Sequence, residues 1–455
     1  RVSDGEFQAV KKITEWAAIH GYLNKVEVLT FVDGGTSVDW MISSGAKVMN
    51  LLTKGSLNHL KHQLKKSPEQ HFSEIAESIH LAVSKGLEVN VYLEDWSNGM
   101  RNSKEYVIEY LDFIQHLPIK RILLPDTLGV LIPSEVAAFI SELVQRYPKI
   151  HFDFHAHNDY DLGTANALEA VRNGVHGLHL TVNGMGERAG NAPLASVIAV
   201  LNDYQKDVST SVCEKSLYSV SKLVETFSGF RIPANKPVVG ENVFTQTAGI
   251  HADGDKKNNL YHNDLMPERF GRERKYALGK TSGKANIANN LAQLGIQLSD
   301  QDLKKVTQRI IELGDRKEVV TQNDLPYIIS DVLDSNAIEE RVQVLNYVLT
   351  HSKDLRPSVT LKISIDGDVF EEHAQGDGQY DAFMKALSII FEKHGKILPV
   401  LKDYAVRIPP GGDSDALCET IITWSNAGKE LITRGLDSDQ TVSAIKATQK
   451  MLNLI

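Results

Sequence analysis

The chain has 455 residues, 42% of them hydrophobic and 24% charged, with a formal net charge of −9. A chain this long is expected to form two or three domains of ordinary globular composition. Net acidity without a basic stripe argues against a nucleic-acid partner, and no apolar run approaches the roughly 18 residues of a membrane span. Cys213 and Cys418 stand alone, which excludes a disulfide framework and a cysteine-ligated zinc site and points to a reducing, cytoplasmic compartment.

The chain opens directly on Arg1-Val2-Ser3-Asp4-Gly5-Glu6, an N-cap-like lead that reads as the middle of a domain. Phe7, Val10, Ile13 and Ala17 fall at helical spacing, so a helix is expected over Glu6–His20. Six short β-rich runs follow: Val26–Val32, Val48–Leu52, Val89–Glu94, Arg121–Asp126, Ile150–His157 and Leu178–Asn183. Helical patterns separate them at Val38–Ser44, Pro68–Lys85, Lys104–His116, Pro133–Arg146 and Gly163–Asn173, with another at Asn191–Tyr204. Such alternation predicts a parallel sheet with helices outside. A (β/α)8 TIM barrel needs eight strands, so as a barrel the sequence lacks two, which belong before Arg1. An open doubly wound sheet is the other reading. From about 205 to 350 helices with polar connectors are expected. Beyond 357, strands at Val359–Ile365, Val369–Glu372, Tyr404–Arg407 and Cys418–Ser425 alternate with helices at Tyr380–Lys393 and Ser438–Leu452. The expected domains are a barrel over 1–205, helical subdomains over 206–352 that contribute to the active site, and a small α/β module over 353–455.

The polar residues collect at the strand ends: Thr30 and Asp33, Thr53 and Lys54, Glu94 and Asp95, Asp126 and Thr127, His155 and His157, Thr181 and Asn183. In a barrel those ends share one mouth. His155 and His157 lie two apart in a strand and so share a face, a two-point grip for a metal. The turn Asn183-Gly184-Met185-Gly186-Glu187-Arg188-Ala189-Gly190-Asn191 follows, with glycines for a tight bend and a Glu187–Arg188 pair to hold it. A pocket holding a divalent metal, Glu94, Thr127 and His251 suits carbon–carbon bond chemistry beside a carbonyl: the metal polarises the carbonyl, and a His or Glu takes a proton from a carbon acid. Plainer readings stand beside these. Glu94 and Asp95 also fit a solvated strand end, His251 a structural role, Tyr92 and Leu93 barrel core, and Asn191 a helix N-cap with Pro193 just inside.

His155-Ala156-His157-Asn158-Asp159, the long Asn183–Asn191 turn, and Gly249-Ile250-His251-Ala252-Asp253-Gly254 together resemble the 2-isopropylmalate synthase and citramalate synthase family. The resemblance runs nearly end to end and includes Gly376-Asp377-Gly378-Gln379-Tyr380-Asp381-Ala382 in the last module. It implies a barrel followed by helical subdomains and a C-terminal α/β regulatory domain. It also implies that His155, His157 and Asn191 bind a divalent metal, with zinc, manganese and magnesium all compatible. Glu94 and His251 would serve general-base chemistry on the methyl group of the co-substrate acetyl-CoA, Tyr261 would assist near the thioester, and Thr127 would hold the carboxylate of a 2-oxo acid. The family arrangement further implies a homodimer in which a subdomain covers the barrel mouth.

The family's Asp-x-Thr-Leu-Arg-Asp-Gly-Glu stretch is absent from this sequence. It would supply a further metal ligand and a substrate-binding arginine, so the chain as it stands is expected to form an open barrel with weak metal binding and little turnover. Tyr92 stands where isopropylmalate synthases tend to carry a small serine, and with Leu29 and Leu52 it would fill the space a branched side chain needs. The residues are similar to those of citramalate synthases, which make (R)-citramalate from pyruvate for isoleucine biosynthesis. 2-Oxoisovalerate, for leucine biosynthesis, is the alternative. Homocitrate synthesis ranks behind both, since a second substrate carboxylate would want a basic pocket residue and none is evident. The last module would bind a feedback amino acid, isoleucine or leucine. A non-catalytic regulatory homologue is the reading of a different class, and the joint presence of His155, His157, Glu94 and His251 argues against it.

Overall fold

The computed structural model describes residues 3–246, 260, 263–280, 282–293, 296–315, 320, 322, 325–333, 341–407, 418–426 and 429–454. They divide into two compact units, one of residues 1–245 with 262–275 and one of residues 246–261 with 276–455.

In the first unit the strands β1 (Glu27–Phe31), β2 (Val48–Lys54), β3 (Glu88–Glu94), β4 (Ile122–Asp126), β5 (Phe152–Ala156) and β6 (Gly177–His179) pair in parallel, in the order of the sequence. A doubly wound sheet reverses its strand order at a switch point. This sheet does not, and its order is that of a barrel. Strands three places apart in a flat sheet lie about 14 Å from each other at about 4.8 Å per step. Yet the rings of Tyr92 in β3 and His179 in β6 are 6.0 Å apart, and Arg121 before β4 ion-pairs with Glu27 in β1. The sheet is therefore curled, with its side chains converging on the concave face.

The helices cover the convex face, and alternation along each strand decides which side chains they meet. Met49, Leu51, Val89, Val91, Leu93, Ile122, Leu124, Phe152 and Phe154 form the core there. The helix Pro68–Ser84 starts on a capping box, in which Ser67 Oγ accepts from Gln70 N at 3.3 Å and Gln70 Oε1 accepts from Ser67 N at 3.1 Å. A helix at Trp96–Asn102 was not expected. It begins directly after Asp95, a left-handed residue with φ 64°, and buries Trp96 edge-on against Phe139 and Phe154. The helix expected over Asn191–Tyr204 spans Leu194–Tyr204 with Pro193 as its N-cap residue. Asn191 is thus not the N-cap; the proline backbone sets the start instead, and the amide is left for another purpose.

The lower concave face is polar. Arg121 ion-pairs with Glu27 and, at 3.0 Å, with Asp153, while Asn50 donates to Glu27 Oε2 at 3.1 Å. His151 and His179 approach Asp153 at 2.9 and 3.5 Å.

In the second unit the helices Lys284–Gln293, Asp300–Asp315 and Leu325–Leu333 pack around Ile287, Leu291, Val306, Ile310 and Leu325. Two three-stranded antiparallel sheets follow, Val342–Ser352, Leu355–Ile365 and Asp368–Gln375, then Val400–Arg407, Cys418–Asn426 and Lys429–Asp437. With the helices Gln379–Lys393 and Gln440–Leu452 they enclose a core that includes Leu361, Phe383, Trp424 and Met451. The expected domain boundary between 352 and 353 falls in a hairpin turn, because Val342–Ser352 pairs with Leu355–Ile365. That strand lies at a sheet edge and exposes Leu345 and Val348, which blurs its alternation. No helix among the described residues is long and apolar enough to cross a membrane.

Asp153 is 1% exposed. Burial alone pushes its carboxyl up, but the His179 hydrogen bond and the charges of Arg121 and His151 outweigh that and hold it below the usual carboxylate range. A depressed carboxyl contributes stability that is present above the unfolded value of about 3.9 and lost as pH falls through the folded value. Asp153→Asn is accordingly expected to cost roughly 1.5–3 kcal/mol near neutral pH by removing one of the two carboxylates that pair with Arg121. In denaturant titrations the gap to wild type should close below about pH 4.

Candidate active site

β5 ends at Ala156, so His155 points into the concave face and His157 lies just past the strand. The chain returns alongside: His157 forms an antiparallel bridge with Asn191, and Ala192 N donates to Ala156 O at 2.9 Å. The two imidazole centroids are 5.1 Å apart with rings nearly perpendicular, at 88°. Nδ1 of His155, Nδ1 of His157 and Oδ1 of Asn191 are all buried without a hydrogen-bond partner among the described residues. The Asn191 amide nitrogen donates to Met185 O at 3.0 Å, which fixes the amide's orientation. Burial, then the neighbouring His157 and His179, pushes His155 down to about 4; burial, then Arg188, lowers His157. Both rings are neutral at neutral pH. Orphaned buried acceptors are costly in a folded protein, and two imidazole nitrogens with an amide oxygen are donors a divalent metal takes. Among the described residues no group of three or more His, Cys, Asp and Glu side chains is arranged to hold a metal ion; here the third donor is an amide.

The loop before Asn191 depends on its glycines at two places. A Cβ on Gly190, whose φ is 83°, would sit 2.0 Å from Gly184 O, and one on Gly186 would sit 2.5 Å from Asn191 Nδ2. The Glu187–Arg188 pair expected to hold this loop does not do so. Their charged atoms are 3.7 Å apart and the Glu187 side chain is 86% exposed. Arg188 instead grips Asp159 with two bonds of 2.7 and 2.9 Å and donates to Thr127 O at 2.8 Å. Asp159 lies two residues beyond His157, so this fork ties the turn to the histidine strand.

The ends of β3 and β4 join the same string. Tyr92 lies edge-on to His155 at 5.9 Å, and burial, then Glu94, pushes its phenol well up. Leu52 is its register partner in β2. Leu29 pairs lower down, opposite Asn50, and is 53% exposed; Phe31 is the residue across from Leu52. The Glu94 carboxylate ion-pairs with Lys54, its register partner. Buried Asp95 accepts from Ser56 Oγ and Asn98 Nδ2, each at 2.7 Å, and its own N donates to Thr127 Oγ1 at 2.8 Å. Since Thr127 Oγ1 accepts there, its hydroxyl hydrogen is left to donate to a ligand.

Other strand-end residues are committed elsewhere. Asp126 accepts from Val130 N and Leu131 N, Asp33 from Ser37, and Asn183 is bonded to Ser221. His251 and Tyr261 lie outside the described residues. Lys54 was expected among the strand-end polar residues but given no role; β2 runs on to include it, and the alternation Asn50, Leu52, Lys54 puts it on the concave face.

A curled parallel half-barrel with a polar mouth at its strand ends defines the class, and residues 1–224 match the family model described as HMGL-like. Residues 238–318 match the homocitrate synthase post-HMGL domain-like model, and residues 319–455 the LeuA allosteric (dimerisation) domain. The chain is 32% identical over 461 residues to a 2-isopropylmalate synthase of Methanocaldococcus jannaschii, covering 99% of this chain and 85% of that one. It is 29% identical over 457 residues to the (R)-citramalate synthase CimA of the same organism, covering 100% and 90%. The protein belongs to the citramalate synthase and 2-isopropylmalate synthase family.

Arg188→Lys keeps a charge but loses the two-bonded fork, which lysine does not reproduce. Steady-state turnover in this variant is expected to fall at least tenfold, whereas Glu187→Gln should change it less than twofold.

Proposed function

We propose that the protein condenses acetyl-CoA with a 2-oxo acid, and that the 2-oxo acid is pyruvate, giving (R)-citramalate and CoA. His155, His157 and Asn191 would hold a divalent metal. When bound, such an ion polarises the keto group of a chelated 2-oxo acid. The Thr127 hydroxyl would donate to the substrate carboxylate. Glu94 would take a proton from the acetyl methyl; the electron pair left on that carbon forms the bond to the keto carbon, and the keto oxygen gains a proton to become a hydroxyl. Hydrolysis of the thioester then releases CoA. Supporting roles for His251 and Tyr261 rest on their motif alone.

The observation that carries pyruvate is the Tyr92 ring, 5.9 Å from the His155 ring. A ring in that position fills the space a branched substrate side chain would need, and a filled pocket excludes by steric clash rather than by the 1–3 kcal/mol or so that one methylene is worth. Two relatives from one organism, with different names and nearly equal identity, leave this choice to the pocket. The buried cation sought for a second substrate carboxylate does exist as Lys54, but its charge is committed to Glu94.

Regulation would lie in the last module. Tyr380, Asp381, Leu401, Tyr404, Gln440 and Thr441 line a cavity of about 610 Å³ there. The helix Gln379–Lys393 begins at it without a side-chain cap, offering backbone N–H groups to an amino acid's carboxylate; Asp439, which caps the helix Gln440–Leu452, also lines it and suits the ammonium, while Leu401 and the tyrosines meet an apolar side chain. Isoleucine is the expected ligand if pyruvate is the substrate, and calorimetry with isoleucine and leucine separates the two.

With full-length protein, kcat/KM for pyruvate is expected to exceed that for 2-oxoisovalerate at least 100-fold, and Tyr92→Ser should narrow the ratio at least tenfold. A preference for the branched acid would overturn the assignment in favour of 2-isopropylmalate synthesis.

A further inference from the structure

Lys54 is 7% exposed, and among the described residues its ammonium has one ion-pair partner, Glu94 Oε2. Its backbone is held on both sides: N donates to His71 Nε2 at 3.2 Å, and the carbonyl accepts from Tyr106 Oη at 2.8 Å. The Glu94 backbone is fixed as well. Gly55 N donates to Glu94 O at 2.6 Å, and Thr53 Oγ1 donates to Tyr92 O at 2.9 Å. The ends of β2 and β3 thus form a rigid frame that presents one buried cation to one carboxylate at the barrel mouth. Burying a lysine is unfavourable unless it is paired, and the frame leaves this one a single oxygen to meet. Glu94 Oε1 has no hydrogen-bond donor among the described residues.

We propose that Lys54 is a positioning residue for Glu94. By holding Oε2 it stops the carboxylate from rotating and leaves Oε1 as the oxygen that receives the methyl proton. The proton moves from the acetyl carbon to Oε1, and the electron pair remains on carbon for the new bond. The inference rests on the assignment of Glu94 as the base. A misplaced base lowers the chemical step without weakening binding, so the loss belongs in kcat and not in KM.

The test uses full-length protein carrying Lys54→Met, Lys54→Arg, Glu94→Gln, or Lys54→Met with Glu94→Gln. Lys54→Met is expected to lower kcat at least 100-fold, with KM for acetyl-CoA and pyruvate within threefold of wild type. Lys54→Arg should recover at least tenfold of that loss. In the Glu94→Gln background, adding Lys54→Met should change kcat less than threefold, because a residue that acts through another has no effect once the other is gone. Wild-type kcat in Lys54→Met, or an unchanged 100-fold loss in the Glu94→Gln background, overturns the proposal. If Lys54→Met folds only together with Glu94→Gln, as judged by thermal melting, the pair is a stability element and the proposal also fails. Wild-type kcat in Glu94→Gln alone instead removes the base assignment, a separate outcome.

Discussion

One guanidinium spans the floor of the half-barrel. Arg121 at the start of β4 reaches Glu27 in β1 on one side and Asp153 in β5 on the other. Charges inside a fold persist only when paired and hydrogen-bonded, and here the pairing crosses strands that would be too far apart in a flat sheet. Flattening the sheet would break the Arg121–Glu27 pair, so the curl and the network support each other. The curl also puts Tyr92, His155 and His179 in ring contact and places the strand ends around a common mouth.

Above that floor, the site is built by strand ends and by what ties them together. Lys54 meets Glu94, Asp95 N meets Thr127, Thr127 O meets Arg188, and Arg188 grips Asp159 just past His157. Each bond joins one strand-end loop to the next, so the histidines and Asn191 are held from several directions. That over-determination is what a left-handed Asp95 and a glycine-dependent turn require. It also explains why three buried acceptors remain unpaired: the frame holds them apart from protein donors, as a preorganised ligand set does.

Much of this was legible in the sequence because parallel strands buried on one face and helices with clear periodicity leave strong patterns. The six strands follow from the pattern, although the last ends at His179 and leaves Thr181 and Asn183 beyond it, and His157 lies past the end of β5. What escaped depends on contacts between distant segments. The Arg188 partner was taken to be its neighbour Glu187, and only the fold shows that Asp159 is nearer. Lys54 was legible as a strand-end residue, but its pairing with Glu94 depends on the register between β2 and β3. Asn191 reads as a helix N-cap in the sequence, but the helix starts at Leu194 with Pro193 as its N-cap residue. The edge strand Val342–Ser352 has one ladder neighbour and a weak pattern, so the last module was placed too far downstream. Leu29 was taken as a strand-end neighbour of Leu52 and Tyr92; the register sets it opposite Asn50 and puts Phe31 across from Leu52.

The central claim is that the unpaired atoms of His155, His157 and Asn191 form a metal site. The most direct measurement is calorimetric titration of Mn²⁺ into full-length protein stripped of metal, beside His157→Ala and Asn191→Ala. The account predicts one ion bound per chain in the wild type and at least a tenfold loss of affinity in each variant. Wild-type affinity in both variants, or no binding by the wild type, would contradict it.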